Sequence, residues 1–376
     1  MKLLFIGHTY IVKVNRQKLS ELAKIPEIEL FLIIPRSWPH PLFKYRHKAE
    51  IKGDEPFQIF ALKTILEGLE GKYSYIRLGT ILKKIKPDII QVEQGANALS
   101  YFQALMLRNF LSSHAKALFF TWMNIPYYNG PFFSLIEKFN LKNSAGAICG
   151  NKGARKVLRK KGFGKPIKII PQLGVDTEIF KKLDMSNLKK RLGLNSFIIG
   201  YVGRLVKRKG LITLIHSLEK KKRDWQLLLV GRGDLSEEII RLSNTLGIRE
   251  KIIIVDAVPH ARVVEYINCM DLLVLPSLKE QYEQFGHVLI EAMACEVPVI
   301  GSTSGEIPNV IGDAGLIFEQ GNVDDLYQKL LLLMENESLR RDLAKKGRQR
   351  VLEKYTHKKI AEELYKFYKM LLFGRG

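Results

Sequence analysis

Short runs of apolar residues alternate with segments of helical periodicity along most of the chain. Leu3–Gly7 is an apolar run, Val14–Ile25 has a helical pattern, and Leu30–Pro35 is apolar again. Strands of a parallel sheet are buried on both faces, so they appear in a sequence as continuous apolar runs. The pattern therefore predicts a βαβ unit at the start of an α/β fold.

The alternation continues through the first half of the chain. Further strands are predicted at Phe57–Leu62, Asp88–Glu93, Ala117–Thr121, Gly146–Gly150 and Lys168–Pro171. Helices are predicted at Tyr75–Ile85, Ala98–Leu111, Phe133–Asn140 and Lys152–Lys161. Two stretches interrupt the rhythm, an aromatic and basic segment at Trp38–Glu55 and a turn-rich loop at Asn124–Pro131.

The alternation restarts after a charged, linker-like stretch at Thr177–Leu194. Strands are predicted at Phe197–Val202, Gln226–Val230, Ile252–Val255, Leu272–Pro276, Val299–Gly301 and Gly315–Phe318. Helices are predicted at Leu211–Lys220, Ser236–Leu246, Arg262–Asn268, Gly286–Cys295, Val323–Asn336, Ser338–Lys354 and His357–Leu372.

This pattern predicts two Rossmann-like domains, each with a doubly wound parallel sheet, that face each other across a cleft. A chain of 376 residues is long enough for two domains. We place the boundary near Asp184, which gives an N-terminal domain over 1–184 and a C-terminal domain over 185–356. The last helix, 357–373, is aromatic on one face and is expected to pack back on the first domain. Such sheets bind ligands outside the carboxyl ends of their strands.

The composition adds a strong positive charge. The formal net charge of +22 indicates an anionic partner, which could be nucleic acid, a phosphate-bearing substrate or a membrane surface. The alternative is a solvated, lysine-rich surface. The scattered cysteines Cys149, Cys269 and Cys295 fit a reducing compartment and indicate no disulfide framework or structural zinc site. The first apolar run is too short for a signal peptide, and none spans a bilayer, so we expect a cytoplasmic protein.

The first candidate site is the glycine turn that follows the predicted strand Phe197–Val202. Gly203 permits a tight turn, and Gly210 opens the next helix. Between them, Arg204 and Lys209 could converge on one anion, such as a diphosphate. The alternative is a basic surface turn with no ligand.

The second candidate site is the start of the buried helix near Gly286. Glu283 lies in the loop before it and Glu291 lies within it, with Phe285 beside the helix start. The free N–H groups of the first turn would face a phosphate, and the two carboxylates would face hydroxyls, which would suit a nucleotide-sugar. In the alternative interpretation Glu291 is a salt-bridged helix residue and Glu283 is a solvated charge.

The order of motifs in the second half resembles the retaining glycosyltransferases of family four, which have the GT-B fold. The motifs are Gly-Arg-Leu-x-x-x-Lys-Gly at 203–210, Leu-Leu-Leu-Val-Gly-x-Gly at 227–233, Leu-Pro-Ser at 275–277 and Glu-x-Phe-Gly-x-Val-Leu-x-Glu-Ala-Met-Ala at 283–294. Ile-Pro-x-x-Gly-Val-Asp-x-x-x-Phe at 170–180 and Ser-Gly-Glu-Ile-Pro at 304–308 are also similar. The first half matches mainly in architecture.

The resemblance implies a role for each matched residue. Arg204 and Lys209 would hold the diphosphate, and Glu291 would take the ribose hydroxyls. Glu283 would contact the donor sugar, and the amides around Phe285 and Gly286 would help at the phosphates or the sugar. The leaving diphosphate would assist deprotonation of the acceptor, so no protein nucleophile and no cofactor is implied.

The absence of an Asp-x-Asp motif predicts that no metal is needed. We therefore expect a metal-independent hexosyltransferase-like enzyme that retains the anomeric configuration.

The acceptor side departs from the family pattern. Many members have a histidine after a strand of the first domain, where this chain has Trp122-Met123-Asn124. Asn124 could donate a hydrogen bond there, and His8 is the other acceptor-side candidate, although a lone loop histidine is often incidental. Four further positions also differ from the residues that are typical of the family, namely Glu296, Asn309, Arg232 and Asp234. These differences concern which donor and which acceptor are bound.

The expected partners are a nucleotide-sugar donor and a glycan or lipid-linked saccharide acceptor, as in polysaccharide biosynthesis. Basic runs could dock the enzyme on the inner face of an anionic membrane, or could serve solubility alone. They lie at Lys83–Lys86, Arg155–Lys165, Lys189–Arg191, Lys207–Lys209 and Lys220–Arg223. A nucleotide-sugar epimerase of the same fold, a nucleotide-sugar-binding regulator without activity and a basic nucleic-acid-binding protein remain alternatives. No aromatic stacking motif supports the latter.

Overall fold

The computed structural model describes residues 1–39, 46–69, 71–111, 114–128, 130–220, 224–278 and 283–374. It divides into two compact units. Unit 1 contains Met1–Gly174 and the chain from His357 onward, and unit 2 contains Val175–Thr356. Residues 40–45 of the predicted aromatic segment and 221–223 of a predicted basic run lie outside the described residues.

Unit 1 is built on a parallel sheet of seven strands in the order β11-β10-β9-β8-β1-β2-β5. Its strands are β1 (Lys2–Ile6), β2 (Glu29–Pro35), β5 (Gln58–Leu62), β8 (Ile89–Val92), β9 (Lys116–Thr121), β10 (Gly146–Cys149) and β11 (Ile167–Ile169). Each corresponds to an apolar run identified in the sequence. Two short antiparallel pairs that the sequence did not predict join β3 (Ser37–Pro39) to β4 (Arg46–Lys48) and β6 (Thr64–Ile65) to β7 (Ser74–Tyr75).

Helices cover both faces of this sheet. They are α1 (Gln17–Ala23), α2 (Leu78–Ile85), α3 (Leu99–Leu111), α4 (Gly130–Asn143), α5 (Lys152–Lys160) and α14 (His357–Phe373). In β1, Leu4 and Ile6 belong to the core on one face, and Leu3 and Phe5 belong to the core on the other. This two-sided burial is why the strands are apolar without alternation.

The first helix begins later than the sequence predicts. Residues from His8 to Arg16 form two short 3-10 turns, and α1 starts at Gln17 rather than near Val14. The reason is Arg16, which is buried and donates hydrogen bonds to the carbonyls of Tyr10 and Ile11. The buried guanidinium needs these acceptors, and the two turns before Gln17 supply them.

Unit 2 contains a parallel sheet of six strands in the order β14-β13-β12-β15-β16-β17. Its strands are β12 (Phe197–Val202), β13 (Trp225–Val230), β14 (Ile252–Val255), β15 (Leu272–Leu275), β16 (Val299–Ser302) and β17 (Leu316–Phe318). Its helices are α6 (Ser186–Arg191), α7 (Leu211–Glu219), α8 (Ser236–Thr245), α9 (His260–Ile267), α10 (His287–Ala294), α11 (Ile307–Ile311), α12 (Val323–Glu335) and α13 (Glu337–Lys354). The predicted α/β class with two doubly wound parallel sheets is confirmed.

The division between the units falls at residues 174 and 175, ahead of the boundary that the sequence placed near Asp184. The segment after this point is fastened to unit 2 by hydrogen bonds. The Val175 N–H donates to the Tyr355 carbonyl at 2.9 Å, and the Leu183 N–H donates to Asn268 Oδ1 at 2.8 Å. A charged stretch resembled a linker because such long-range bonds leave no local pattern in the sequence.

Within the described residues, no helix combines the length and the apolar character that crossing a bilayer requires.

Candidate functional site

Four loops of unit 2 meet at the carboxyl edge of its sheet. Their described residues are 203–210, 231–235, 276–278 with 283–286, and 303–306, and they follow β12, β13, β15 and β16. Because these strands are consecutive neighbours in the sheet, their following loops lie side by side. This is the edge where open parallel sheets bind ligands.

Two glycines allow these loops to touch. Gly210 has φ +70°, and a Cβ there would lie 1.9 Å from the Pro276 carbonyl oxygen. Gly305 has φ +58°, and a Cβ there would lie 2.0 Å from the Glu283 carbonyl oxygen. Both conformations are costly for other residues, and both gaps are too narrow for a side chain. Neighbouring loops are therefore in backbone contact.

Lys209 and Glu283 form the polar centre of this edge. Lys209 Nζ lies 2.5 Å from Glu283 Oε2, and only 15% and 16% of the two side chains are exposed. Ser277 Oγ donates to the same carboxylate oxygen at 2.8 Å. An ion pair this sheltered from water gains more than a surface pair, because solvent screens it less. The structure therefore brings together two predicted site residues that are far apart in the sequence.

Buried hydroxyls fix the loop that carries Glu283. The Glu283 N–H donates to Ser304 Oγ at 3.3 Å, and the Glu306 N–H donates to the Glu283 carbonyl at 2.9 Å. Ser302 Oγ donates to the Ser277 carbonyl at 2.6 Å. Since both the backbone and the carboxylate of Glu283 are held, its side chain has a defined position before any ligand binds.

Gly203 and Arg204 form the turn directly after β12. Gly203 has φ +150°, and a Cβ on it would lie 2.9 Å from the Tyr201 hydroxyl. That hydroxyl donates to the Arg204 carbonyl at 2.8 Å, and this hydrogen bond holds the backbone of the turn in place. The Arg204 side chain is exposed, so its guanidinium is available to solvent at the sheet edge.

Helix α10 begins immediately after Gly286, as the sequence predicts. Gly286 has φ +79° and ψ +58°, so it ends the preceding loop in the left-handed region. Phe285 is buried, with its ring centroid 5.7 Å from that of Tyr355. The N–H groups of the first turn of α10 are thus presented at the sheet edge, where the helix dipole favours an anion.

Glu291 lies within α10 and is almost fully buried, with 5% exposed. Its Oε1 atom is 2.7 Å from His260 Nε2 and 2.9 Å from His287 Nδ1. Burial by itself raises the pKa of Glu291, but the two imidazole hydrogen bonds lower it to about 2. The carboxylate is therefore ionised, as hydroxyl recognition would require.

The two acceptor-side candidates lie in unit 1. His8 follows β1, where its ring stacks on Trp38 with centroids 4.5 Å apart. Asn124 follows β9 and is partly buried, with its Cβ against Gly153 at the start of α5. Both lie at the carboxyl edge of their sheet, and no contact in the described residues joins them to each other.

Several polar residues of this site were missed in the sequence. His287 precedes Glu291 by four residues, a spacing that places both on one helix face, so it could have been found. His260 comes from α9, and no local signal connects it to Glu291. Ser302 and Ser304 had no recognisable signal beyond the short motif at 304–308.

Two Rossmann-like parallel-sheet units, of which the second has a cationic glycine turn and paired carboxylates, define the GT-B fold class. The family profile described as "Glycosyl transferases group 1" matches residues 184–350. The match covers less than half of the chain and lies within unit 2, so this unit is similar to the group 1 glycosyltransferases.

Two relatives and one solved structure illustrate the similarity. The capsular polysaccharide biosynthesis glycosyltransferase CapM of Staphylococcus aureus is 35% identical over 207 residues, covering 53% of this chain and 53% of CapM. The N-acetyl-alpha-D-glucosaminyl L-malate synthase of Bacillus anthracis is 32% identical over 200 residues, covering 52% of this chain and 51% of the synthase. The chain thus spans about half the length of these curated relatives.

The solved structure is Anabaena Alr3699/HepE in complex with UDP. It has a TM-score of 0.76 at 16% identity and covers 98% of this chain and 99% of that protein. The likeness extends over both units, which establishes the fold.

Proposed function

We propose that this protein transfers a sugar from a nucleoside diphosphate donor to a hydroxyl acceptor. The observation that carries the proposal is the sheltered Lys209–Glu283 pair at the carboxyl edge of the unit 2 sheet. An ammonium beside a carboxylate, at the place where such sheets bind ligands, offers a phosphate contact next to a sugar contact. The alternative interpretation of this segment was a basic surface turn with no ligand. Such a turn would not need an ion-pair partner that is shielded from solvent.

The diphosphate would bind at the turn after β12. Lys209 has three N–H donors and shares one of them with Glu283, so others are available for phosphate oxygens. Arg204 is exposed at the same turn and would supply a planar fork for a second phosphate contact. Gly203 lets the backbone approach, since no side chain projects there. These cations would stabilise the charge that develops on the leaving group.

The rest of the donor would lie toward helix α10. The amides after Phe285 and Gly286 would face phosphate or sugar oxygens at the positive end of the helix dipole. Glu283 would accept hydrogen bonds from the donor sugar, and Glu291 would accept them from the ribose hydroxyls. The ionised state of Glu291 supports this role, because a carboxylate accepts from two hydroxyls.

In the proposed reaction, the bond between the anomeric carbon and the diphosphate oxygen breaks while the acceptor oxygen bonds to that carbon from the same face. The acceptor proton passes to the departing phosphate oxygen, so no protein nucleophile and no metal ion takes part. The product keeps the anomeric configuration of the donor. His8 and Asn124 are the proposed acceptor-side contacts.

The relatives suggest the substrate class. CapM is named for capsular polysaccharide biosynthesis, the B. anthracis enzyme is named as an N-acetyl-alpha-D-glucosaminyl L-malate synthase, and the Anabaena structure contains UDP. We therefore propose a nucleotide-sugar donor and a glycan or lipid-linked saccharide acceptor, as in polysaccharide assembly. A screen for thermal stabilisation by UDP-, GDP- and ADP-sugars would identify the donor, since a bound ligand raises Tm by mass action.

The test of function is transfer by purified protein with the donor so identified. Lys209→Ala and Glu283→Ala should each lower kcat/KM at least about a hundredfold, because each removes a contact to the reacting part of the donor. Lys220→Ala is the matched control, since it breaks a more exposed ion pair of the same unit, with Asp324. Its activity should stay within about twofold of the parent.

The assay is run with and without acceptor. Nucleotide release that depends on acceptor supports transfer. Full activity in the Lys209→Ala and Glu283→Ala variants would contradict the assignment of the site. Nucleotide-sugar turnover that needs no acceptor would instead indicate an epimerase or a hydrolase.

We further propose peripheral contact with an anionic membrane through unit 1. Large apolar side chains are exposed on α4, namely Phe132 (62%) and Leu135 (66%). Lys72 Nζ lies 5.5 Å from the centre of the Phe133 ring, so a cation accompanies the apolar group. Apolar side chains beside lysines bind the interface of a membrane that contains anionic lipids. Such docking would bring the enzyme to a lipid-linked acceptor on the cytoplasmic face.

Flotation with vesicles tests this contact. The protein should float with vesicles that contain anionic lipid and much less with purely zwitterionic vesicles. The double variant Phe132→Ser, Leu135→Ser should lose most of the binding. Phe110→Ser is the control, because Phe110 is also exposed but lies toward the other end of neighbouring α3. If Phe110→Ser lost as much vesicle binding as the double variant, the binding would not depend on Phe132 and Leu135 in particular.

A further inference from the structure

Three potential metal ligands converge in unit 2 at the junction of helices α9 and α10. His260 is the first residue of α9, and His287 and Glu291 are one turn apart on α10. The candidate ligand atoms of the three side chains all lie within 4.8 Å of one another. They come from two elements that the tertiary fold brings together.

The three side chains are suitable ligands for a divalent transition metal. Two imidazoles and a carboxylate are typical ligands of Zn²⁺, and a histidine and a carboxylate four residues apart on a helix can bind one ion together. Atoms that are each about 2 Å from a tetrahedral ion lie about 3.3 Å apart. Glu291 Oε1 lies 2.7 Å from His260 Nε2 and 2.9 Å from His287 Nδ1. Opening these two contacts by about half an ångström would bring both to that separation. The candidate ligand atoms of the two imidazoles lie within 4.8 Å of each other and must reach about the same separation to bind the ion.

The surroundings allow this adjustment. The His260 side chain is 52% exposed and that of His287 is 35% exposed, so both rings have room to move and an ion can enter from solvent. The Glu291 side chain is only 6% exposed, which gives the site a fixed anionic ligand. Water can occupy a fourth position beside the exposed imidazole. The site thus combines one fixed ligand with two adjustable ones.

We propose that His260, His287 and Glu291 bind one Zn²⁺ or a similar imidazole-seeking ion, and that this ion competes with the sugar donor. The competition rests on the proposed function, in which Glu291 accepts hydrogen bonds from the donor ribose. A carboxylate that coordinates the ion is not available to those hydroxyls. The ion is therefore an inhibitor of donor binding and takes no part in transfer.

Direct metal binding tests the site without any activity measurement. Calorimetric titration of the full-length protein with Zn²⁺ should show one site per chain, and Co²⁺ should give the visible absorption of a tetrahedral complex. His260→Ala and His287→Ala should each weaken Zn²⁺ binding by roughly a hundredfold. The control His216→Ala should leave it unchanged, because His216 lies on α7, where its side chain is 40% exposed beside Glu219. Equal binding by all three variants would overturn the metal site.

Kinetics with buffered free Zn²⁺ test the competition separately. At a free Zn²⁺ concentration about ten times its Kd, the apparent KM for donor should rise roughly tenfold while kcat stays constant. The two histidine variants should lack this rise, which also controls for Zn²⁺ bound by the nucleotide itself. An unchanged KM with intact metal binding would contradict the ribose role of Glu291 and the competition. Absence of metal binding alone would leave the transferase proposal standing.

Discussion

His8 shows how one side chain is held in one protonation state. Its Nδ1 atom lies 2.9 Å from Gln94 Nε2 and 3.3 Å from the Tyr73 hydroxyl. The Gly71 N–H donates to Gln94 Oε1, which orients the amide so that its NH₂ group faces the imidazole. His8 Nδ1 is then an acceptor, and the proton of the neutral ring is on Nε2. Burial lowers the pKa of His8 to about 4.

This lowered pKa predicts an acid-dependent loss of stability. Between pH 6.5 and about 4 the unfolded chain binds a proton at residue 8 that the folded protein does not, so the free energy of unfolding falls as the pH falls. His8 should account for roughly 3 kcal/mol of that loss at most. Urea denaturation at pH 7.5 and at pH 4.5 measures it.

The His8→Gln variant should lose less stability between the two pH values than the parent protein. His216→Gln is the control for the substitution itself, because the His216 side chain is 40% exposed. A parent and a His8→Gln variant with the same pH dependence would show that His8 is protonated in the folded protein.

At the scale of elements, the candidate site depends on loops that pack backbone against backbone. The loop from β12 to α7 touches the loop after β15 through Gly210, and the loop after β16 touches Glu283 through Gly305. These contacts set the position of Lys209 relative to Glu283. The chemistry of the site therefore depends on the absence of side chains as much as on the charged groups.

Gly210→Ala should lower both stability and donor binding. The left-handed backbone conformation costs alanine about 1 kcal/mol, and the overlap with the Pro276 carbonyl oxygen adds to it, for a total of roughly 3 kcal/mol. Gly193→Ala is the matched control, because Gly193 has φ +66° but open space around its Cβ position. Gly193→Ala should lose only the stability that the left-handed conformation costs, about 1 kcal/mol, and should bind the donor as tightly as the parent protein.

Chemical denaturation and donor titration of both variants separate the two effects. If Gly210→Ala were no less stable than Gly193→Ala and bound donor equally well, the two loops would not need their close contact.

At the scale of the whole molecule, unit 1 is assembled from two distant parts of the chain. Leu364, Phe367 and Tyr368 of α14 are buried in the core on one face of its sheet, and the Tyr368 hydroxyl donates to Gln91 of β8. Unit 2, in contrast, is one continuous stretch. Unit 2 can therefore be produced as one continuous fragment, whereas unit 1 needs two separate segments of the chain.

Fragments of the chain test this difference. The fragment 175–356 should unfold cooperatively by itself, because its sheet and helices are continuous in sequence. The fragment 1–174 should lack cooperative unfolding, since one face of its sheet has lost the α14 side chains, and adding a peptide of residues 357–376 should restore it. Circular dichroism during thermal denaturation measures both. Cooperative unfolding of 1–174 without the peptide would contradict the role of α14.

Much of the fold could be predicted because its signals are local. Parallel strands buried on both faces must be apolar throughout, so all the strands of the two large sheets were visible as runs. The candidate residues of unit 2 were also visible, since glycines, cations and carboxylates after such strands fall at one sheet edge. The late start of α1 was missed because the buried Arg16 bonds to its own preceding turns, which no periodicity reveals.

The sequence by itself determined the alternating elements, the two-sheet class and the loops that carry charge. The patterns that reveal buried strands and helices extend over only a few neighbouring residues. Only the tertiary structure decided which distant groups meet. Lys209 meets Glu283 across 74 positions, and His260 meets Glu291 across 31. Such pairs are set by strand order and helix packing, and these depend on free energies summed over the whole chain.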